Sequence, residues 1–176
     1  MPIDKIVQPE LLPVNAALRL RKYDGNYPFA LEWYLDPVTV WLVDGDEDIY
    51  TPELLSKMYT HQDTHGELYF IEVLEDGGWR PVGDVCLSPD DFAIVIGEKA
   101  YRARGIGRAV VSALVDRARS LGWTQVRVGD IYDFNTRSQR LFTSLGFQTE
   151  AKTAKGHSYI LPLNPAWPFD ASIAGS

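Results

Sequence analysis

Cysteine and long apolar runs are both scarce in this sequence. The 176 residues include one cysteine, Cys86, so an internal disulfide framework is excluded. No apolar stretch approaches the ~20 consecutive residues that a membrane-spanning helix needs. The first fifteen residues, MPIDKIVQPELLPVN, show neither a basic leader with an apolar block nor an Arg- and Ser-rich amphipathic pattern. We therefore expect a protein of the cytoplasm with no membrane partner.

Basic residues are fewer than acidic ones. The chain has 17 Lys and Arg against 24 Asp and Glu, for a formal charge of −7. This balance argues against a general nucleic-acid binder, because backbone phosphates require a basic surface. It is compatible with a cationic partner, which a negative protein attracts at long range.

The length and uniform composition favour one folding unit. A chain of 176 residues with 45% hydrophobic content is in the usual range for one domain, and it has no repeat, low-complexity run or internal linker. We predict a single domain over residues 1–176, with an irregular tail over 163–176. Cys86 lies in the alternating stretch PVGDVCL, which favours a small buried core residue over a nucleophile.

The N-terminal third contains modest structural signals. Alternation over residues 17–22 predicts a half-buried strand, and residues 28–35 form a weak helical region. A helix over 51–59 is predicted with Thr51 as its cap. The acidic stretch at 44–48 predicts a solvated loop between the two helices.

The remaining two thirds of the chain show clearer periodicity. Two alternating segments on either side of the turn Asp76-Gly77-Gly78 predict an antiparallel hairpin. Helices and strands then succeed one another, which predicts an α/β fold with a mixed sheet and helices packed on it. In chain order the segments are ELYFIEVLE, WRPVGDVCLS, FAIVIG, a helix over 106–121, TQVRVGDIY, a helix over 135–145, and strands near 147–151 and 158–163.

The segment RARGIGR, residues 102–108, joins a strand to a helix and favours an anion. Free N–H groups at a helix start and the positive end of its dipole attract negative charge. Gly105 and Gly107 let a phosphate approach the backbone, and the three arginines add forked donors. The segment lacks both the GxxxxGK string of a P-loop and the GxGxxG string of a dinucleotide site. A purely structural role, in which the glycines pack a helix on a strand, stays open.

These residues resemble a known family. Residues 102–107 match the Q/R-x-x-G-x-G/A signature of the GNAT family of N-acetyltransferases. NTRSQRLFTSLGF, residues 135–147, is similar to its second signature, N-x-x-A-x-x-L-Y-x-x-L-G-F. The resemblance is specific over about residues 92–147. The N-terminal part is loosely similar to the branch that contains ribosomal-protein and aminoglycoside acetyltransferases.

The resemblance implies a fold and an activity. It implies a single-domain acyltransferase fold whose central sheet splays at the cofactor site, and transfer of an acetyl group from acetyl-coenzyme A to a primary amine by direct attack in a ternary complex. A metal is not implied. A non-catalytic acyl-coenzyme A sensor and a transferase for a longer acyl group remain alternatives, and the acceptor, a small molecule or a peptide amine, is open. A homodimer is also open.

The resemblance further implies which residues bind the cofactor. The diphosphate would lie on the N–H groups at 102–108, and the pantetheine arm would pair with the strand at 94–96. Asn135 would contact the cofactor, and Arg140 or Arg137 would reach its adenosine phosphate. The implied set is Ile94, Val95, Ile96, Arg102, Ala103, Arg104, Gly105, Ile106, Gly107, Arg108, Asn135 and Arg140.

Catalysis requires a base for the amine and an acid for the departing thiolate. Asp84 is the first candidate for the base because it interrupts an apolar strand, and Glu98 is the second. Asp84 is equally compatible with a polar group that is satisfied locally. The signature tyrosine that often protonates the thiolate is replaced by Phe142. Its substitutes would be Tyr132, Ser138 or Tyr159, and either tyrosine could instead be a packing residue.

The acceptor side is assigned to the N-terminal third. Aromatic and acidic residues there suit a cation, although they equally suit a core edge beside a solvated loop. They are Trp33, Tyr34, Trp41, Tyr50, Tyr59, Asp44, Asp46, Glu47 and Asp48. The pair His61 and His65 lacks the glutamate of a zinc-protease motif and is interpreted as part of a solvated turn, with His157 as a fallback base.

Overall fold

Eight strands form two antiparallel sheets in the computed structural model, which describes residues 6–46 and 48–163. The first sheet has the order β1-β2-β3-β4-β5 and the second the order β6-β8-β7. The strands are β1 (Leu11–Asn15), β2 (Leu18–Lys22), β3 (Glu67–Glu75), β4 (Gly78–Leu87), β5 (Ala93–Ile96), β6 (Gln125–Tyr132), β7 (Gln148–Lys152) and β8 (Gly156–Pro162).

Five α-helices accompany the sheets. They are α1 (Leu31–Tyr34), α2 (Pro37–Asp44), α3 (Pro52–His65), α4 (Ile106–Ser120) and α5 (Thr136–Ser144), with short 3-10 turns at Pro28–Ala30 and Lys99–Tyr101. Side chains cap three of them: Asp36 bonds the Thr39 amide on α2, Thr51 caps α3 and Asn135 caps α5. Within the described ranges, no helix is long and apolar enough to cross a membrane.

The two sheets meet at one point and then separate. The Phe92 amide donates to the Arg127 carbonyl at 2.7 Å, and the Gly129 amide donates to Asp91 Oδ1 at 2.8 Å. No ladder joins β5 to β6, so the outer edge of β5 borders a cleft. The predicted α/β fold with a splayed sheet is confirmed, and the sheet is divided into two antiparallel parts.

Two apolar cores lie on opposite faces of the first sheet. The buried stripe of α4, which includes Val110, Leu114 and Ala118, recurs at three- and four-residue steps and packs in the larger core. The smaller core joins α1 and α3 to Phe70 of β3 and is rich in aromatic rings. Helices therefore cover both faces, as the sequence predicts.

The N-terminal third differs most from the sequence prediction. The helix α2 and the strand β1 were not predicted, and Asp44 ends α2 instead of starting a loop. The apolar, β-branched run Val-Thr-Val-Trp-Leu-Val in α2 has weak helix propensity, and packing overrides it. The helix α3 also extends beyond 59 to His65. Of the predicted tail at 163–176, Leu163 is described and is buried in the larger core. The rest of the tail and Glu47 lie outside the described residues.

A carboxylic acid is enclosed in the aromatic core. Asp84 on β4 is 2% exposed, and its Oδ2 accepts hydrogen bonds from the hydroxyls of Tyr34 at 2.7 Å and Tyr59 at 2.8 Å. Burial raises the pKa of Asp84 to about 6, against the lowering effect of the two hydroxyl donors. The folded protein thus holds this proton more tightly than the unfolded chain does.

Asp84→Asn should remove a pH-dependent loss of stability. Because the folded pKa is raised, the contribution of Asp84 is fully present below the unfolded pKa of 3.8 and is lost as the pH rises through about 6. A shift of about two pKa units corresponds to about 3 kcal/mol. Urea unfolding at about pH 3 and about pH 7.5 should show the variant gaining about that much on wild type at the higher pH. An equal difference at both pH values would contradict this.

Candidate active site

The helix α4 begins without a side-chain cap. Gly105 occupies its N-cap position with no side-chain hydrogen bond, and the first turn has no acidic residue. The helices α2, α3 and α5 each have a capping side chain. The first amides of α4 therefore keep their donor capacity, and the positive end of the helix dipole is not neutralised.

Two residues in left-handed conformations shape the loop before α4. Ala103 has φ 60° and Gly105 has φ 80°, in a region that side chains rarely adopt. A Cβ on Gly105 would have no atom within 4 Å, so its backbone angle, not crowding, favours glycine there.

A cavity of about 260 Å³ lies between β5, α2 and the N-terminal ends of α4 and α5. Its walls are mainly apolar, and its polar lining residues come from α2, from the loop before α4 and from the first turns of α4 and α5. It is lined by Thr39, Leu42, Val43, Ile94, Val95, Ile96, Tyr101, Arg102, Ala103, Gly105, Ile106, Gly107, Arg108, Asn135, Arg137, Ser138 and Leu141.

The edge of β5 offers backbone groups to this cavity. The amides of Gly97 and Glu98 both donate to the Val82 carbonyl of β4, at 2.9 and 3.0 Å, which is a β-bulge. Since backbone groups alternate between the two edges of a strand, the N–H groups of Ile94 and Ile96 face away from β4. All four residues of β5 are partly exposed, as an open edge requires.

The cavity brings together most of the predicted cofactor residues. Ten of the twelve line it, whereas Arg104 and Arg140 do not. The guanidinium of Arg104 lies 5.0 Å from the ring centroid of Tyr101. Sequence reasoning missed the wall formed by α2, because that helix was not predicted. The Asp36-Pro37 pair, a cap followed by proline at the first helical position, was the signal that could have found it.

Two side chains that the sequence predicts to bind the cofactor also form hydrogen bonds with α2. The Nε of Arg102 donates to the Ile96 carbonyl at 2.8 Å, and its Nη2 donates to Thr39 Oγ1 at 2.9 Å. The amide nitrogen of Asn135 donates to the Leu42 carbonyl at 3.3 Å, while its oxygen caps α5. The helix α2 is thereby tied to both sides of the cleft.

The arginines divide into two groups by position. Six of them do not line the cavity and form ion pairs with carboxylates: Arg19, Arg21, Arg80, Arg117, Arg119 and Arg127. The other five arginines lie in the loop before α4, in the first turn of α4 and in α5. None of these five forms an ion pair with a carboxylate of the described residues. They are Arg102, Arg104, Arg108, Arg137 and Arg140. Asp36 acts electrostatically on Arg102 without forming an ion pair with it, so among the described residues the positive charge of the cleft is only partly compensated.

The candidate bases lie in different environments. Asp84 is enclosed beneath Tyr34 and Tyr59 and does not line the cavity. The side chain of Glu98 is 30% exposed beside the β5 bulge, accepts a hydrogen bond from Trp33 Nε1 at 3.1 Å and lies 3.5 Å from Arg80 Nη2. Of the two, Glu98 is the carboxylate that reaches solvent.

The candidates for the acid that protonates the thiolate also lie in different environments. Phe142 is 2% exposed and packs against Phe92 and Phe147 in the larger core. Tyr159 is buried in that core, and Tyr132 stacks on Phe134 outside the cavity lining. Burial, with nearby Asp130 and Asp44, raises the pKa of Tyr132. Ser138 is the one substitute of the three that lines the cavity.

Most of the aromatic residues assigned to an acceptor pack in the smaller core. Trp33, Tyr34, Tyr50 and Tyr59 are buried, whereas Trp41 is 39% exposed and stacks on Phe134 at 4.6 Å. His61 and His65 stack at 4.2 Å within α3, so they belong to a helix and not to a turn.

Comparison with known proteins identifies the fold. Residues 29–147, about two thirds of the chain, match the model of the acetyltransferase (GNAT) family. A domain from Methanocaldococcus jannaschii has TM-score 0.76 and 22% identity, over 85% of this chain and 100% of that one. A search of curated proteins gives no match.

Two further similar structures are of enzymes. RimL, a ribosomal alpha-N-protein acetyltransferase solved with coenzyme A, has TM-score 0.66 and 16% identity over 89% of this chain and 99% of its own. The aminoglycoside acetyltransferase AAC(6')-Ib, also solved with coenzyme A, has TM-score 0.68 and 14% identity over 88% of this chain and 99% of its own. With the family match, the bare start of α4 and the open edge of β5, these results show that the chain belongs to the acetyltransferase (GNAT) family and is an N-acetyltransferase.

Proposed function

We propose that the protein transfers the acetyl group of acetyl-coenzyme A to a primary amine, by direct attack in a ternary complex. The observation that carries this proposal is the uncapped N-terminus of α4 opening onto a cavity with positive charge. An anionic cofactor supplies the acceptors and the charge that this helix end lacks. The two enzymes described with coenzyme A, which have the same fold, support the same cofactor.

The cofactor would follow the cavity from α4 to β5. Its diphosphate would accept hydrogen bonds from the amides of Ile106, Gly107 and Arg108. The pantetheine arm would lie along β5 and accept from the amides of Ile94 and Ile96, as an added strand does. An amide at this edge, at Ile96 or nearby, would also stabilise the oxyanion that forms when the thioester is attacked.

Direct transfer is favoured over an acylated enzyme. Cys86 is 3% exposed, and burial, with nearby carboxylates, raises the pKa of its thiol to about 12. A buried, protonated thiol is a poor nucleophile. The amine itself would therefore attack the thioester, forming the C–N bond and expelling the thiolate of coenzyme A.

Glu98 is the group that we assign to deprotonate the amine. A general base must reach its proton directly or through one water. Neither carboxylate lines the cavity, but Glu98 is 30% exposed beside the β5 bulge whereas Asp84 is enclosed. Ser138, on the α5 wall of the cavity, would donate a hydrogen bond to the departing thiolate. The proton itself would come from solvent, since a thiol pKa near ~8.5 makes the thiolate a weak base.

The acceptor and the setting complete the proposal. RimL is named for a protein acceptor and AAC(6')-Ib for an aminoglycoside. Both a peptide amine and a small-molecule amine are therefore compatible with this fold. We propose one N-acetyltransferase domain acting in the cytoplasm. The identity of the amine is to be found by screening both classes.

Replacing Gly105 by Asp should weaken acetyl-coenzyme A binding far more than replacing it by Asn. Both residues tolerate the left-handed conformation and have similar shape, so they differ mainly in charge. We expect the dissociation constant of the Asp variant to be at least ~10-fold higher by calorimetric titration. Equal affinities would place the diphosphate elsewhere, and no binding to the wild type would refute the proposed cofactor.

Glu98→Gln should lower kcat/KM for the acceptor by about 100-fold, because the amide cannot take a proton. The amide can still accept the Trp33 hydrogen bond, so the fold should be kept. The measurement is the initial rate of thiol release at one pH with the concentration of the amine varied. Glu75→Gln, an exposed change at the end of β3, is the matched control. A larger loss in Asp84→Asn would return the role of base to Asp84.

Ser138→Ala should lower kcat by about 10-fold without changing the affinity for acetyl-coenzyme A, since solvent replaces the lost donor inefficiently. Turnover and calorimetry on the same preparations separate the two effects. Thr143→Ala, an exposed change on the same helix, is the control. An equal change in affinity and kcat would mean that Ser138 only holds the cofactor.

A further inference from the structure

The carboxylate of Glu98 is oriented by a residue from a distant part of the chain. Glu98 is the N-cap residue of the 3-10 turn Lys99–Tyr101, but its side chain does not bond that turn. Its Oε1 instead accepts a hydrogen bond at 3.1 Å from Nε1 of Trp33, which lies in α1, 65 positions earlier. The tertiary fold, and not the local backbone, therefore determines the direction of this side chain.

Trp33 is itself held in place by close packing. It is 3% exposed in the smaller core, next to the rings of Phe29 and Phe70. It also lies against the backbone of Gly97, where a Cβ would collide with the indole ring. A ring enclosed in this way has few accessible rotamers, so its N–H group is a donor in a fixed position.

The two oxygens of Glu98 have different surroundings. Oε2 lies 3.5 Å from Nη2 of Arg80, whose side chain is 56% exposed. An ion pair that is open to solvent holds a side chain weakly. Each carboxylate oxygen can accept about two hydrogen bonds, so Oε2 retains the capacity to take a proton. Trp33 thus fixes one oxygen and leaves the other able to react.

A structural role for Trp33 does not by itself require a carboxylate. A buried indole N–H needs only an acceptor, and a backbone carbonyl would satisfy it without withdrawing part of a charged group from water. The acceptor here is a carboxylate whose side chain is 30% exposed. This pairing of a rigid donor with a charge that still reaches solvent indicates that the orientation of the charge matters.

We propose that Trp33 is a positioning residue for the transfer reaction and holds Glu98 in one orientation through the indole N–H group. The inference rests on the proposed function, in which Glu98 takes the proton of the attacking amine. A base is more effective when a third group orients it. Small displacements of reacting groups cost much of the rate, so a fixed carboxylate is favoured over a freely rotating one.

The test is Trp33→Phe, made both in the wild type and in Glu98→Gln. Phenylalanine keeps a ring over Gly97 and removes the N–H donor. The measurement is steady-state thiol release from acetyl-coenzyme A, with kanamycin and a peptide that begins with serine as acceptor probes. We expect Trp33→Phe to lower kcat by about 10-fold at unchanged KM for acetyl-coenzyme A. In Glu98→Gln the same change should alter kcat by less than about twofold, because the base on which Trp33 acts is already absent.

Phe29→Leu is the control for loosened packing. It removes a ring that meets Trp33 edge-on and leaves the hydrogen bond to Glu98 in place, so kcat should stay within about twofold of the wild type. A loss as large as that of Trp33→Phe would overturn the inference. Equal losses from Trp33→Phe in both backgrounds would also overturn it, since Trp33 would then act on the β-bulge at Gly97 and not through Glu98.

A measurement without an acceptor tests the contact itself. In NMR spectra, the indole proton of Trp33 is identified by its loss in Trp33→Phe. This proton should exchange with solvent about 10-fold faster in Glu98→Ala than in the wild type, and an unchanged rate would overturn the inference. Thermal melting verifies that each variant is folded.

The outcomes separate this inference from the proposed function. If the wild type releases thiol with neither amine, or if Glu98→Gln is fully active, the proposed function fails and the inference fails with it. A wild type whose kcat depends on Glu98 but not on Trp33 refutes only the inference.

Discussion

The separation of the two sheets is the constraint on which the site depends. One backbone hydrogen bond, from Phe92 to Arg127, holds the start of β5 to β6, and the strands share no ladder beyond it. An unpaired strand edge is normally a liability, because its polar groups need partners. Here the edge faces a cavity instead of bulk solvent. The chain then leaves β5 and enters α4 at the same cavity, which brings strand amides and helix amides together.

Charge is distributed unevenly around this geometry. The protein as a whole is negative, yet the arginines of its cleft form no ion pair with any carboxylate in the described part of the chain. Long-range repulsion of an anion by net charge is screened within about 8 Å at physiological salt, whereas short-range donors in the cleft are not. For the proposed cofactor, local donors would therefore decide binding, and the acidic surface would be available to attract a cationic amine.

Much of the site could be predicted because it is built from local sequence. The glycines and arginines of residues 102–108 define the helix start, and Asn135 defines the next one, without knowledge of distant contacts. The hairpin of β3 and β4 followed from alternation and its turn. These signals depend on backbone conformation, which neighbouring residues largely determine.

The remaining parts could not be predicted because they depend on packing. Alternation shows that Asp84 differs from its neighbours on β4, but not that its face meets tyrosines from α1 and α3. Helical spacing places Arg137 and Arg140 near each other, and only the position of the cavity separates them. The helix α2 has a sequence that favours a strand, and its contacts with both sides of the cleft determine its conformation.

The uncapped N-terminus of α4 also explains why proteins with this fold need little sequence identity with one another. Amide groups are present whatever side chain they bear, so most substitutions around the cleft leave the main donors in place. Structures with the same fold retain only 14–22% identity with this chain. The positions that tolerate substitution least should be those whose backbone angles shape the loop, Ala103 and Gly105. A cofactor site built from backbone would let the side chains of the acceptor side change without loss of the main donors.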